Sequence, residues 1–200
     1  YSIRVGLAAA EVEYDFGWAR LNSISSAQSV RTIGRADFSS VYGPLVGLDT
    51  VSFDNSYVVH KQTQEFRLTS TAGTAIEWIA GLYYNRETGQ NHQFLSGETS
   101  GDLLHAVLPS HYREQAAYGD VTWNATSRIA LTGGMRIARN VQSFDQTGGG
   151  LLLGGGPDDT LSGRSAETSK TWLATAKYAL TPTSNVYVRT KSKAVAEAGM

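Results

Sequence analysis

"YGDVTWNATSRIALTGGMRIARN" (Tyr118–Asn140) reads as two alternating strands around a polar four-residue turn, Asn124–Ser127. On the second strand Ile129, Leu131, Met135 and Ile137 fall on one face, and Thr132 and Arg136 on the other. Successive strand residues point to opposite sides of a sheet, so such alternation describes a wall with two chemically distinct faces. A soluble sheet hides the apolar face and wets the polar one. A membrane barrel turns the apolar face to lipid and encloses the charge.

Bulk composition leaves both readings open. The chain has 200 residues, enough for one domain of ordinary size. A net charge of −1 offers no electrostatic case for nucleic acid, and none is expected as a partner. Mean hydropathy is −0.24, and no stretch approaches the ~20 apolar residues of a membrane helix. Transmembrane strands alternate, so their mean hydropathy resembles that of soluble proteins. The absence of cysteine excludes a disulfide framework and a thiolate metal site. Twenty-one glycines, ten tyrosines and only four prolines make a β-rich composition. The chain opens on Tyr1 and closes on Met200 at no evident boundary, and is expected to be part of something longer.

Period two dominates the whole chain and places eight strands in four pairs. These are Gly6–Tyr14 with Trp18–Ser26, Lys61–Ser70 with Ala75–Glu87, Tyr112–Trp123 with Arg128–Val141, and Thr168–Leu180 with Asn185–Ser192. The links within pairs, around Asp15–Gly17 and at "TAGT" (71–74), "NATS" (124–127) and "TPTS" (181–184), suit hairpin turns. The links between pairs, Ala27–His60, Thr88–His111 and Gln142–Glu167, are expected to be long loops. In an up-and-down array every short turn then lies at one end and every long loop at the other, as in outer-membrane barrels. The best strands run to ten residues or more, near the ~9–11 of a tilted membrane strand and beyond the soluble mode of ~5–6.

The faces sort in the same way. Ile76, Trp78, Ala80, Leu82 and Tyr84 oppose Glu77, Ile79, Gly81, Tyr83, Asn85 and Glu87 on one strand. Trp78, Trp123 and Tyr178 lie near short turns, and Tyr84 and Trp172 toward the long links. Two aromatic bands of this kind suit membrane interfaces, with Trp78, Trp123, Trp172 and Tyr178 as the girdle. The competing reading is a soluble β-sandwich whose apolar faces pack on each other.

"KQTQEFRLTSTAGTAIEWIAGLYYNRETG" (61–89) resembles a segment of TonB-dependent outer-membrane receptors, in which a Gln-Glu-Phe-Arg-Leu strand turns into a Trp-x-x-Gly-x-Tyr-Tyr strand. "AAYGDVTWNATSRIALTGGMRIARN" (116–140) resembles the following hairpin of that family, which ends in a Gly-x-Arg strand. "WLATAKYALTPTSNVYVRTKSKAVAEAGM" (172–200) is similar to a later strand pair, and "EVEYDFGWARLNSISS" (11–26) to an earlier one. Residues 193–200 depart from the family's Gly-Tyr-Arg-x-Gly-Gly type of stretch.

The resemblance implies an all-β, antiparallel up-and-down transmembrane β-barrel, with about eight strands of a larger wall of about 22. Residues 1–200 would be a fragment of the barrel domain, without the plug domain and the C-terminal strands. It implies active uptake of a scarce nutrient, most often a ferric siderophore. The partners would be outer-membrane lipid, the TonB complex through the plug, and a ferric siderophore or similar chelate. Glu65, Arg67, Asp120, Arg136 and Lys177 would face the lumen, bonding to plug, water or one another. Substrate contacts are expected among Tyr42, Tyr57, Phe94, His105, Tyr112 and Phe144, read as loop residues, for which packing within the loops is the alternative role. His92, His105 and His111 share one link, where solvation is preferred over metal ligation. The "GGGLLLGGGP" stretch (148–157) lacks the Gly-Lys-Ser/Thr of a phosphate loop and reads as a mobile loop with an apolar tip. No nucleophile pairs with a base, so no enzyme activity and no cofactor are expected. A passive porin-like barrel and a soluble sandwich binding module are the alternative functions.

Overall fold

A computed structural model describes residues 1–48 and 50–197, with side chains of the last strand as far as Ala194. Residues 198–200, part of the departing stretch noted above, lie outside the described residues. Eight strands form a single antiparallel sheet in chain order: β1 (Ser2–Asp15), β2 (Ala19–Asp37), β3 (Val51–Ser70), β4 (Ile76–Gly97), β5 (Gly101–Asn124), β6 (Ile129–Gly149), β7 (Asp159–Thr181) and β8 (Ser184–Glu197). Every strand pairs with its sequence neighbours, and β1 and β8 remain the two edges.

The four tight turns fall where the polar links predict them. In the first, Gly17 takes a positive φ of 86°, and its N–H donates to the Asp15 side chain at 2.7 Å. In the second, Gly73 has φ 82°, and its N–H donates to Glu77 at 2.8 Å. In the third, the Thr126 hydroxyl accepts from the N–H groups of Arg128 and Ile129. Positive φ is strained for a residue with a Cβ, which is why glycine stands at the first two.

The opposite end corrects the sequence reading. The three long links are largely strand, not loop. Thr88–His111 shrinks to a three-residue turn at 98–100, and Gln142–Glu167 to residues 150–158, which hold a 3-10 turn at Leu151–Leu153. Ala27–His60 keeps a connection that folds as the helix α1 (Ser39–Val46). The physical reason is that ladder hydrogen bonds join backbones whatever the side chains. Apolar alternation stops where neither face is strongly apolar, and the Ser-, Thr- and Val-containing ladder continues.

An ordinary core is small here. Val51, Leu95 and Leu103 form a buried cluster against which Phe38, Tyr42, Val46, Leu48 and Phe53 pack. Helix α1 thereby seats on β3–β5 at the end remote from the tight turns. Through the middle strands one face of the sheet is half-buried and the other exposed, alternating most clearly along Ile129–Arg139, while the edge strand β1 is exposed on both faces. Crowding of one face is what curvature produces, so the half-buried face is the inner one.

Candidate functional site on the inner face

Register sets the inner face. Arg67, Gly81, Tyr118, Arg136 and Thr171 stand in one row across five strands, and Ile79, Asp120, Gly134 and Leu173 in the next. Lys177, opposite Ala130, has the same orientation. All five residues expected to face inward therefore share one face.

Those residues build a polar network. Arg67 Nη2 lies 2.9 Å from Glu65 Oε1, and the Tyr118 hydroxyl donates to the same carboxylate. Arg136 Nη2 lies 2.5 Å from Glu114 Oε1, with its guanidinium 5.6 Å from the centre of the Tyr83 ring. The Tyr112 hydroxyl is 3.2 Å from both Glu114 and Asn140, and the Asn140 amide donates to Glu167 at 3.3 Å. Glu65 and Glu114 thus each meet an arginine and a tyrosine hydroxyl, and Glu167 meets the Asn140 amide. Lys177 is exposed, without an ion pair among the described residues. A cavity of about 580 Å³ opens over Glu65, Arg67, Tyr118, Asp120 and Arg136.

Glycine makes room for the larger partners. A Cβ on Gly81 would lie 2.3 Å from the Tyr118 ring, and one on Gly134 would lie 1.7 Å from an Asp120 oxygen. Higher on the same face, the side-chain oxygens of Asn55, Asn85 and Asn91 are buried with no partner among the described residues. Asn85 is only 4% exposed. Buried acceptors in native proteins are nearly always satisfied, so this face is prepared for water or a polar body against it.

The six expected substrate contacts do not converge. Five lie on strands rather than loops, for the reason given for the long links: Tyr57 on β3, Phe94 on β4, His105 and Tyr112 on β5, Phe144 on β6. Tyr42 lies in α1 and packs into the small apolar cluster. By register Tyr57, Tyr112 and Phe144 face inward, whereas Phe94 and His105 pair with each other on the outer face. His105 bonds to Asp102 at 2.6 Å and to Asp158 at 3.0 Å, tying β5 to the segment before β7. These two carboxylates, Asp158 foremost, raise its pKa above the ordinary histidine value. His92 and His111 stand apart from it on the same ladder, and no metal-ligating group of three occurs among the described residues.

The outer face carries the aromatic residues as expected. Trp123 (54% exposed) and Tyr178 stand beside tight turns, whereas Trp172 lies near the middle of β7, because the strand runs on into what the sequence suggested was a long loop. The sequence reading missed that Tyr14, Phe16 and Trp18 extend the lower belt to Trp78, with successive ring centres 4.8, 6.0 and 6.3 Å apart. The Tyr-x-Phe-x-Trp alternation was the available signal. It also missed Glu114, although the parity that places Asp120 on β5 places Glu114 on the same face.

No protein-family model matches this sequence, and no curated protein matches it. Among solved structures, the ferric yersiniabactin uptake receptor FyuA from Yersinia pestis is similar over 92% of this chain and 27% of its own, with 21% identity and a TM-score of 0.78. The ferric-catecholate import receptor Fiu from E. coli K12, in its open form, is similar over 94% of this chain and 35% of its own, with 17% identity and a TM-score of 0.73. The chain therefore spans about a quarter to a third of these proteins and shares its fold with a part of each.

Proposed function

We propose that this chain is a portion of the barrel wall of a TonB-dependent outer-membrane receptor that takes up a ferric siderophore. The carrying observation is the chemical inversion of the sheet. On β1–β7 the outer face holds a strip bounded below by Tyr14, Leu21, Leu68, Trp78, Trp123, Ile129 and Tyr178. The strip continues upward for eight to ten residues along each strand without an Asp, Glu, Lys, Arg or His. At ~3.4 Å per residue and a tilt of ~35–45°, its height is roughly 20–27 Å, matching the ~25 Å apolar band of outer-membrane barrels. The acids of the spanning segments, Glu11, Glu13, Glu65, Glu77, Glu114, Asp120 and Glu167, all take the inner parity.

That inversion disfavours a soluble sandwich, in which the uncharged face would be covered. Unpaired β1 and β8 suit a wall continued by further strands, since open edges are aggregation-prone. The buried, unpartnered asparagine oxygens and the cavity over Arg67 and Arg136 fit a polar domain seated in the lumen. Wall residues would hold that domain and would take no part in bond-breaking chemistry. The likeness to two ferric-chelate receptors points to a ferric siderophore as cargo. A cell lacking the protein should lose uptake of one radiolabelled ferric siderophore, and dissipating the proton gradient should abolish that uptake in the parent. Uptake that persists without the gradient would indicate a passive pore instead.

A further inference from the structure

The inner face changes character above the charged network. Within the network Arg67 is matched by Glu65 and Arg136 by Glu114, and higher up Lys61 on β3 stands directly opposite Glu87 on β4. The next row reads Val30, Val59, Gly89, Ser110, Phe144 and Gly163 across β2–β7. From that row upward, no lysine, arginine or histidine takes the inner parity among the described residues of these strands. The basic residues of these segments, Arg31, Arg35, His92 and His105, all take the outer parity. The inward Asp159 at the top of β7 is negative. Helix α1, which packs over the inward Phe53, holds no charged residue either.

The neutral stretch is nevertheless polar. Asn55 on β3 and Asn91 on β4 are diagonal neighbours, and the side-chain oxygen of each is buried with no partner among the described residues. Tyr57 stands directly opposite Asn91. A Cβ on Gly89 would lie 2.7 Å from the Ser110 hydroxyl and 3.3 Å from the Tyr57 hydroxyl, so this glycine leaves both converging on one hollow. Asn85, by contrast, stands opposite Glu114 at the level of the charged network. Asn91 is six residues further along β4, roughly 20 Å higher on the strand.

Bare amide oxygens call for N–H or O–H donors. A carboxylate or catecholate oxygen brings acceptors alone. A polyanion on this face would meet unpaired acceptors and no counter-charge, and such mismatch is how a site rejects a wrong partner. We propose that the cargo is a ferric chelate without net negative charge, whose N–H or O–H groups donate to Asn55 and Asn91 beside the Tyr57 and Ser110 hydroxyls. This names the substrate class of the receptor proposed above and rests on that reading.

The test compares radioiron uptake by cells carrying the full-length protein with uptake by cells lacking it. The probes are two hydroxamates without negative charge, ferrichrome and ferrioxamine B, and two anionic chelates, ferric enterobactin and ferric citrate. Protein-dependent uptake should occur with a hydroxamate and be at least about 10-fold lower with either anionic chelate. Asn55→Leu/Asn91→Leu, present at the parental level in the membrane, should raise the half-saturating concentration of that hydroxamate on the order of 10-fold, as the loss of two hydrogen bonds requires. An unchanged value would overturn the proposal. If the variant does not reach the membrane, the four probes on the parent decide. Uptake of an anionic chelate as good as that of the hydroxamates would overturn the proposal and leave the receptor reading standing. Protein-dependent uptake of none of the four would overturn the ferric-siderophore reading, and this proposal with it.

Discussion

The Tyr118 hydroxyl on β5 donates to the Glu65 carboxylate on β3 across β4, where Gly81 has no side chain to separate them. This contact welds three strands of the inner face into one polar unit. It depends on a small residue at the middle position and on two large polar ones at the flanks.

Replacing Gly81 with alanine should dislodge Tyr118. The new Cβ would lie 2.3–2.6 Å from the end of the ring, which must then leave Glu65 and Arg67. Over-packing of this kind costs about 1–3 kcal/mol. Chemical denaturation in micelles should show that loss for Gly81→Ala. Gly133→Ala, where nothing lies within 4 Å of a built Cβ, should be near neutral.

Tyr118→Phe keeps the ring and removes the donor. A hydrogen bond to a charged group contributes about 1.5–3 kcal/mol. Because Arg67 stays 2.9 Å from Glu65, the carboxylate keeps a partner and the loss should fall at the lower end of that range. A double cycle of Tyr118→Phe with Glu65→Gln should show coupling, and additive effects would mean that the contact is not formed.

His105 gives the far end of the sheet a pH dependence of definite sign. Its pKa is raised above the ordinary value by Asp158 and Asp102. Stability from a raised histidine pKa is fully present below the unfolded value of about 6.5 and is lost as pH rises through the folded one. The tether to the segment at 150–158 should therefore loosen from neutral to alkaline pH. Hydrogen exchange in that segment, corrected for intrinsic rate, should accelerate over this interval in the parent. In His105→Gln the corrected rate should not depend on pH.

Arginine substitutions along β6 should show a depth profile. Met135 and Leu131 lie within the uncharged strip, while Ile129 pairs with Tyr178 at its lower margin. Arginine on the lipid face costs about 2–4 kcal/mol near the midplane and about 0–1 near the interface. Met135→Arg should destabilise the inserted protein strongly, Leu131→Arg, opposite Trp123 near the lower margin, less, and Ile129→Arg only weakly. A flat profile would speak against burial in lipid.

The sequence was legible where one face was apolar. Trp78, Leu82 and Val121 announce β4 and β5 because every second residue is hydrophobic, and the same parity places Asp120 and Arg136 inside. Legibility failed in the upper halves of the hairpins. Segments such as Gln90–Gln93 and Ser143–Thr147 carry polar residues on both faces, so backbone pairing alone holds them in strand. The substrate candidates were chosen there as loop aromatics, and register then divided them between two faces. The helix α1 went unread because Pro44 and Gly43 signal a turn, while its docking depends on Val51, Leu95 and Leu103, two of them more than forty residues away.

The central claim is that the two faces of the sheet meet different media, and nitroxide labels at Leu131 and Thr132 test it most directly. Each label is attached to a single engineered cysteine in the protein reconstituted in bilayers, and its relaxation is read against oxygen and a water-soluble nickel chelate. The label at Leu131 should be strongly accessible to oxygen and shielded from nickel, and its neighbour at Thr132 should not share that lipid signature. A lipid signature at Thr132, or strong nickel access at Leu131, would contradict the assignment of the outer face to lipid.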